Sequence, residues 1–474
     1  MRAAQNERLT RIGPETPCGA LLRHYWQPIA LTAEFDPALD ARMGVRPAKA
    51  VRALRQDFVL FRDALTRKFA LLDRACPHRG ADLAYGRLES AEHGGGIRCA
   101  FHGWQFRADG QCIATPGEPK GSRLCDGIRQ RSYPVVEKSG VIWAWLAPEG
   151  VALSAFPSLD CFVAPETHSF AFKGLWNCNW LQAMEVGIDP AHASFLHRFF
   201  EDEDVSASYG KQFRAASAGS DWPMTRVLRE FESPEISVEA TDYGMRLTAL
   251  RRLSETLTHV RVTNQLFPQA FVIPLSIDTT ITQWHLPVDD THTYWVAVFT
   301  SFGKPLDKPL MREQRLKLYS LPDYVPRVGK HDQYGFDPLE QSTETYTGMG
   351  HDINVHDQWA VESQGEIQDR TKEHLGTTDK AIIAFRRQLS NAIDAVEKGD
   401  AAPLQWSKSD AARIVGPITV DGICAADSWD AYWREFDSKR RAACKWFAEN
   451  RRDPSPDSAS PNHPLPAGEG NTRA

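Results

Sequence analysis

The sequence predicts an α+β protein, with a small all-β unit ahead of a larger unit that mixes strands and helices. Three observations carry this. Between residues 46 and 155 the apolar runs are short, as in Phe58-Val59-Leu60-Phe61 and Phe69-Ala70-Leu71-Leu72, and polar turns separate them. That is the pattern of small antiparallel sheets. Beyond residue 156, Gly244-Met245-Arg246-Leu247-Thr248-Ala249-Leu250 alternates like a half-buried strand, and Tyr294-Trp295-Val296-Ala297-Val298-Phe299 is a continuous apolar run of strand length. Residues 378–389 read instead as helix.

Taken in order, residues 1–45 form an N-terminal arm: a short helical opening, a turn-rich loop (Gly13-Pro14-Glu15-Thr16-Pro17), then the pair Tyr25-Trp26, which anchors the arm to the first domain. Residues 46–155 form that domain, and its most apolar run, 141–146, reads as a buried strand. Residues 156–450 form the second domain. Within it, 376–400 is a capped helix with Thr378 or Asp379 near its start. The tail 451–474 is rich in Pro, Ser, Asp, Asn and Gly, too poor in apolar surface to order itself, and is expected to be disordered.

Composition excludes several function classes. The 474 residues are 42% hydrophobic and 24% charged, ordinary for a globular chain, and the length suggests two or three domains. A net charge of -6 argues against nucleic acid as a partner, because phosphate binding needs a basic footprint. No apolar run approaches a membrane span, and the polar, charged N-terminus carries no secretory pattern. A cytoplasmic protein is the default expectation. Nine cysteines in such a chain then point to thiols and metal ligands, not to disulfides.

Two loops in the first domain concentrate ligand chemistry: Cys76-Pro77-His78-Arg79-Gly80 and Cys99-Ala100-Phe101-His102-Gly103-Trp104. Each offers one thiolate and one imidazole, with a Gly where the backbone must turn tightly. Two thiolates and two imidazoles suit a tetrahedral zinc, or a [2Fe–2S] cluster with Cys on one iron and His on the other. Zinc sites favour two cysteines per loop, whereas mixed loops suit a cluster whose irons differ in ligands.

Residues 185–197 (Glu-Val-Gly-Ile-Asp-Pro-Ala-His-Ala-Ser-Phe-Leu-His) place two acids and two histidines within thirteen positions. Two histidines and a carboxylate with open positions suit non-haem Fe(II). His192 and His197 are five apart, about 140° around a regular helix, so they share a metal only if the helix is distorted or the metal sits across its edge. Pro190 breaks the helix, with Asp189 as an N-cap and Pro190 at the first helical position. The spacing also disfavours metalloprotease-type zinc and requires a third ligand from elsewhere.

The paired loops resemble the Rieske motif of aromatic-ring-hydroxylating oxygenases, and the resemblance continues through Asn179-Trp180-Leu181-Gln182 and 185–197. It covers roughly residues 5 to 390 and is nearest to the phthalate-dioxygenase-like large subunits. The twenty residues between the loops slightly exceed the family's common gap. The stretch Glu89-Ser90-Ala91-Glu92-His93-Gly94-Gly95-Gly96 accounts for this as an enlarged hairpin turn with a solvated His93.

The resemblance implies a Rieske [2Fe–2S] domain over 46–155 and, over 156–450, a catalytic domain built on an antiparallel sheet surrounded by helices. It implies Cys76, His78, Cys99 and His102 as cluster ligands, and His192, His197 and a distant acid at a mononuclear Fe(II). An Asp followed five residues later by a Glu points to Asp357, with Asp352 the runner-up and Asp369 an ion-pair partner of Arg370 or another cation. Asp189 matches the family's bridging acid, which links a Rieske histidine of the neighbouring subunit, here His102, to an iron ligand, here His192. That implies a ring of subunits, a trimer or stacked trimers. Glu185 either tunes the same site or is a solvated acid.

The expected reaction is O2-dependent hydroxylation of an aromatic substrate. Ring dihydroxylation of an aromatic carboxylate leads, and O-demethylation of a methoxylated aromatic acid is the alternative. A Rieske electron carrier and a zinc-stabilised binding protein are the readings from other classes. Arg261, able to grip a carboxylate bidentately, and Asn264 are candidate substrate contacts, with Trp284-His285 behind them. A surface salt bridge is the alternative for Arg261. No phosphate-binding Gly-rich loop is present, so electrons are expected from a separate NAD(P)H-dependent reductase, with or without a ferredoxin.

Overall fold

The computed structural model describes residues 1–36, 47–202, 216–411, 413 and 416–450, with side chains as far as Phe447. The expectation for 451–474, and the end of the arm at 37–45, lie outside the described residues. Strand β1 (Trp26–Leu31) shows that the arm is more than a tether, because it is the edge of a sheet in the first domain. The missing N–H of Pro28 falls where the register slips between Pro28 and Ala30, the place in a strand that tolerates proline.

Four strands, β2 (Ala48–Ala53), β3 (Gln56–Arg62), β4 (Phe69–Asp73) and β9 (Ser132–Tyr133), make one antiparallel sheet. The short β5 (Arg87–Leu88), β6 (Ile97–Arg98), β7 (Gln105–Phe106) and β8 (Cys112–Ala114) make a second. β10 (Val135–Lys138) and β11 (Val141–Trp145) complete the sheet that β1 begins. All five residues of β11 are buried because both of its faces are covered. Ile142 and Ala144 join one core cluster, while Val141, Trp143 and Trp145 join another. That is why 141–145 reads as an unbroken apolar run. The 89–96 insert is the connection from β5 to β6, with His93 exposed, as expected.

The second domain is an eight-stranded antiparallel sheet. Its path is β12 (Ser169–Trp176), β18 (Thr293–Ser301), β17 (Thr279–Pro287), β16 (Ala270–Pro274), β15 (Leu257–Leu266), β14 (Gly244–Arg252) and β13 (Glu235–Thr241). The eighth strand, β21 (Val420–Ala425), pairs with β15 beyond the end of β16, and β19 (Tyr319–Ser320) and β20 (Val325–Pro326) form a separate two-stranded hairpin.

Residues opposed in register share a face. One face carries Arg251, Arg261, Gln265, Phe271 and His285. Helices α1 (Ala3–Thr10) and α2 (Pro17–Leu22) of the arm share the core on this side with α3 (Trp180–Gly187) and α5 (Lys380–Glu397); α4 (Ile353–Glu362) lies beside α3. Gly187 permits the approach of α3, since a Cβ there would meet the Phe271 ring at 2.0 Å. The opposite face carries Val260, Val262 and Asn264, and α6 (Trp429–Ala443) covers part of it through Trp433. Among the described residues, no helix is long and apolar enough to cross a membrane.

Candidate metal centres

The two Cys/His loops are built alike. Cys76 N–H donates to the Ala81 carbonyl at 2.8 Å and Cys99 N–H to the Trp104 carbonyl at 2.8 Å. In return Gly80 N–H closes on the Cys76 carbonyl at 2.8 Å and Gly103 N–H on the Cys99 carbonyl at 3.0 Å. Both glycines are left-handed, with φ of 74° and 75°, so each loop reverses within one tight turn.

Cys76 and Cys99 are buried in the domain's core cluster, and the Cys76 thiol is in hydrogen-bond contact with Cys99. His78 and His102 are partly exposed, with ring centroids 4.5 Å apart, and His78 stacks on Trp104 at 4.3 Å. Burial pushes the Cys76 thiol up to about 11, so it stays protonated until a cation compensates its charge. His102 Nδ1 is buried without a protein hydrogen-bond partner. Two buried sulfurs, two outer imidazoles and an unpartnered ring nitrogen fit a [2Fe–2S] cluster with unlike irons.

The second centre forms where the chain stops being helical. α3 ends at Gly187, and Asp189 begins a turn in which its Oδ1 accepts the Ala191 N–H at 2.8 Å. The N-cap expectation for Asp189 is therefore corrected: it closes a local turn, because only a three-residue 3-10 turn (His192–Ser194) follows. This break lets two histidines five apart converge, with ring centroids at 5.1 Å. Arg251 pins the turn from the sheet, donating from Nη2 to the Pro190 carbonyl at 3.3 Å and to Ser194 Oγ at 3.0 Å.

Asp357, on α4, supplies the third group. His197 Nε2 stands 3.3 Å and His192 Nε2 3.8 Å from Asp357 Oδ1, and one ligand atom from each of the three lies within 4.8 Å of the others. Asp352 does not compete, since its Oδ1 caps α4 by accepting the Asn354 N–H at 2.9 Å. Asp369 accepts from Thr371 and pairs with Lys372 at 3.0 Å. Burial, and then the charge of His197, push the His192 imidazole down, toward the neutral form that binds metal. Burial alone would raise Asp357, but the charge and hydrogen bond of His197, then the charges of His192 and His356, hold its carboxyl below the usual range. Two imidazoles and a carboxylate fit a mononuclear Fe(II) with open positions.

Three expected site residues are placed otherwise. Glu185 reaches neither solvent nor metal: its carboxylate is gripped by Arg386 at 2.6 and 3.0 Å and by Arg370 at 2.9 Å. It was readable only as an acid near the histidines because its partners lie far along the chain. The substrate role for Arg261 gives way to a structural one, since Nη1 pairs with buried Asp421 at 2.8 Å and Nη2 donates to the Pro274 carbonyl. Asn264 faces away from the 192–197 segment, on the side opposite Arg251, where it accepts from Tyr243 Oη and donates to the Ile418 carbonyl. A period-2 strand puts neighbours such as Thr263 and Asn264 on opposite sides, which a lone sequence does not orient.

His285 lies on the sheet face that Arg251 shares, fully buried beside Phe271, and burial pushes it down to about 3. Sequence reasoning passed over His356, which precedes Asp357 and meets His197; burial pushes it down to about 4. Its adjacency to the candidate ligand was the available signal.

Residues 26–134 match the Rieske [2Fe-2S] domain and 152–446 match the LigXa C-terminal domain-like family. The chain is 30% identical to the phthalate 4,5-dioxygenase oxygenase subunit of Pseudomonas putida, over 92% of this chain and 94% of that one. It is also 30% identical to the 5,5'-dehydrodivanillate O-demethylase oxygenase subunit of a Sphingobium species (84% and 82% covered). With the 3-chlorobenzoate-3,4-dioxygenase oxygenase subunit of Comamonas testosteroni it shares 29% (84% and 90%). A solved dicamba monooxygenase bound to dicamba, 18% identical, superposes with a TM-score of 0.53 over 80% of this chain and 99% of that one, which shows the shared fold. The chain thus belongs to the Rieske oxygenases, enzymes that combine a [2Fe–2S] cluster with a mononuclear non-haem iron.

Proposed function

We propose that this chain is a terminal oxygenase component that dihydroxylates the ring of an aromatic carboxylate. The observation that carries the reading is the convergence of His192, His197 and Asp357 in a chain that also bears the paired Cys/His loops. Cys76 and Cys99 would hold one iron of a cluster and His78 and His102 the other, while His192, His197 and Asp357 would hold Fe(II). The cluster supplies single electrons and the Fe(II) supplies open positions for dioxygen.

The rest is done by the chain. Asp189 O fixes His192 by accepting its Nδ1–H at 2.5 Å, which leaves Nε2 toward Asp357. The apolar surfaces of Phe271 and Trp176 around His285 keep water from its flank. Phthalate and 3-chlorobenzoate, in the names of two relatives, support an aromatic carboxylate, and the O-demethylase relative supports demethylation as the second reading.

The relatives' description as oxygenase subunits supports a separate reductase. In a ring-shaped oligomer, Asp189 of one chain would bridge His102 of its neighbour, on the cluster side, to His192 on the iron side. Support comes from the partial exposure of both His102 and Asp189 on the single chain.

Iron and sulfide analysis tests the assignment: about three irons and two sulfides per chain are expected, and about two irons would reduce the protein to a carrier. Oxygen uptake with a surrogate reductase, across aromatic acids and methoxylated aromatics, tests the substrate. Uptake driven only by the methoxylated set would move the reading to demethylation.

A further inference from the structure

His356 occupies the residue before Asp357 on α4, is 0% exposed, and meets His197 without belonging to the candidate ligand set. Its Nε2 lies 2.9 Å from the Gly350 carbonyl, which only accepts, so Nε2 carries the hydrogen. In a neutral imidazole the other nitrogen then offers a lone pair. That nitrogen, Nδ1, faces His197 Nδ1 at 3.4 Å, the long end of a hydrogen bond. The two ring planes are 24° apart with centroids at 5.7 Å, little more than the N···N gap plus the two ring radii. The rings therefore meet edge to edge, as a hydrogen bond requires, and not face to face.

The carbonyl that starts this chain is itself held. Gly350 is left-handed, with φ of 76°, and its N–H donates to Glu340 at 2.9 and 3.1 Å. Hydrogens are thus ordered from Gly350 O through His356 to His197, whose Nδ1 donates, so that the nitrogen facing Asp357 at 3.3 Å, Nε2, is the one a metal would take. His192 reaches the same tautomer by another route, through the Asp189 backbone carbonyl.

We propose that His356 is a positioning residue for the mononuclear iron, fixing the tautomer and ring orientation of His197 through an imidazole–imidazole hydrogen bond anchored at Gly350. The proposal rests on the assignment of His192, His197 and Asp357 as iron ligands. Partners of this kind orient a ligating imidazole and raise its basicity, and their loss costs metal affinity without removing a ligand.

The test uses the full chain with its cluster intact and its mononuclear site stripped by a chelator, titrated with Co(II) by calorimetry alongside thermal unfolding. In His356→Asn the side-chain oxygen takes the place of Nδ1 and still accepts from His197. In His356→Gln the amide reaches toward Gly350 but offers nothing at the Nδ1 position, and His356→Leu removes both. Co(II) affinity should fall about 10–100-fold in His356→Leu and His356→Gln, and His356→Asn should recover most of it, with the cluster's visible spectrum unchanged in all three. Should His356→Leu fail to fold, the Asn and Gln variants decide between themselves.

Wild-type affinity in His356→Gln, or equal losses in His356→Asn and His356→Gln, overturns the proposal and leaves His356 a packing residue. His197→Ala separates this from the underlying assignment. If it binds Co(II) like wild type, the ligand set is wrong; if it loses Co(II) while His356→Gln does not, only the role of His356 fails.

Discussion

His192 Nδ1 lies 2.5 Å from the backbone carbonyl of Asp189, while the nearest oxygen of the Asp189 carboxylate stands 4.0 Å away. His192 is held by main chain, and the Asp189 side chain, 22% exposed, is left for another task. Changing the side chain therefore spares the iron. Asp189→Asn keeps the Ala191 N–H acceptor, so both metals should remain at wild-type content while substrate-coupled turnover is lost. Iron analysis and oxygen uptake on the same preparation check this, and normal turnover would remove Asp189 from the electron path.

Glu185 makes a contrasting prediction, since it sits between two arginines with no metal in reach. Removing one partner of a buried ion pair costs about 3–5 kcal/mol, because the remaining charge is stranded. Glu185→Gln should therefore lower the urea midpoint at pH 7 yet leave the iron content of the folded fraction unchanged. Its pH dependence follows from the sign of the shift. Burial raises the Glu185 carboxyl, but the charges and hydrogen bonds of Arg370 and Arg386 more than offset this and hold it below the ordinary value. The folded state thus binds its proton less readily than the unfolded chain. The stabilisation is full above the unfolded pKa, about 4.3, and is lost as pH falls through the lower folded value. The gap between wild type and Glu185→Gln should narrow as the unfolding series is taken below that pH.

Arg261 should behave as a core ion-pair residue. Arg261→Met strands Asp421, which also accepts from Ser217 at 2.6 Å and contacts His259 at 3.1 Å. The expected loss is again about 3–5 kcal/mol, with KM for an aromatic acid unchanged in the folded enzyme. A rise in KM without loss of stability would restore it to the substrate site.

The two loop glycines separate strain from collision. A left-handed residue other than Gly costs roughly 1–2 kcal/mol. At Gly80 an added Cβ meets nothing within 4 Å, whereas at Gly103 it meets Pro116 Cγ at 2.7 Å. Gly80→Ala should retain its cluster with a modest loss of thermal stability, and Gly103→Ala should lose more stability and cluster occupancy. The visible spectrum during heating reads both.

Local sequence was enough for what depends on local spacing. Thiol–imidazole loops with a turning Gly gather their ligand groups within a few residues of chain, so Cys76, His78, Cys99 and His102 could be picked out directly as candidate ligands, as could the short strands around them. The runs at 58–61, 69–72, 141–146, 244–250 and 294–299 became strands because an apolar period of one or two residues leaves few other ways to bury them. The resemblance also pointed, through the spacing from Asp357 to Glu362, to the acid that the fold brings beside His192 and His197.

Tertiary structure decided whatever depends on which face, and which distant partner, a side chain meets. Glu185 and Asp189, four residues apart, look equivalent in sequence, yet one meets Arg370 and Arg386 across the core and the other stays at the surface. Arg261 and Asn264 are close in sequence on one strand, but the pleat sends them to opposite sides of the sheet and the fold supplies Asp421 to the first. His356 reads as an ordinary core residue until α4 is set against the 192–197 turn. The physical reason is common to all of these: hydrogen bonds and ion pairs act over a few ångströms, and only the folded chain determines which groups share that distance.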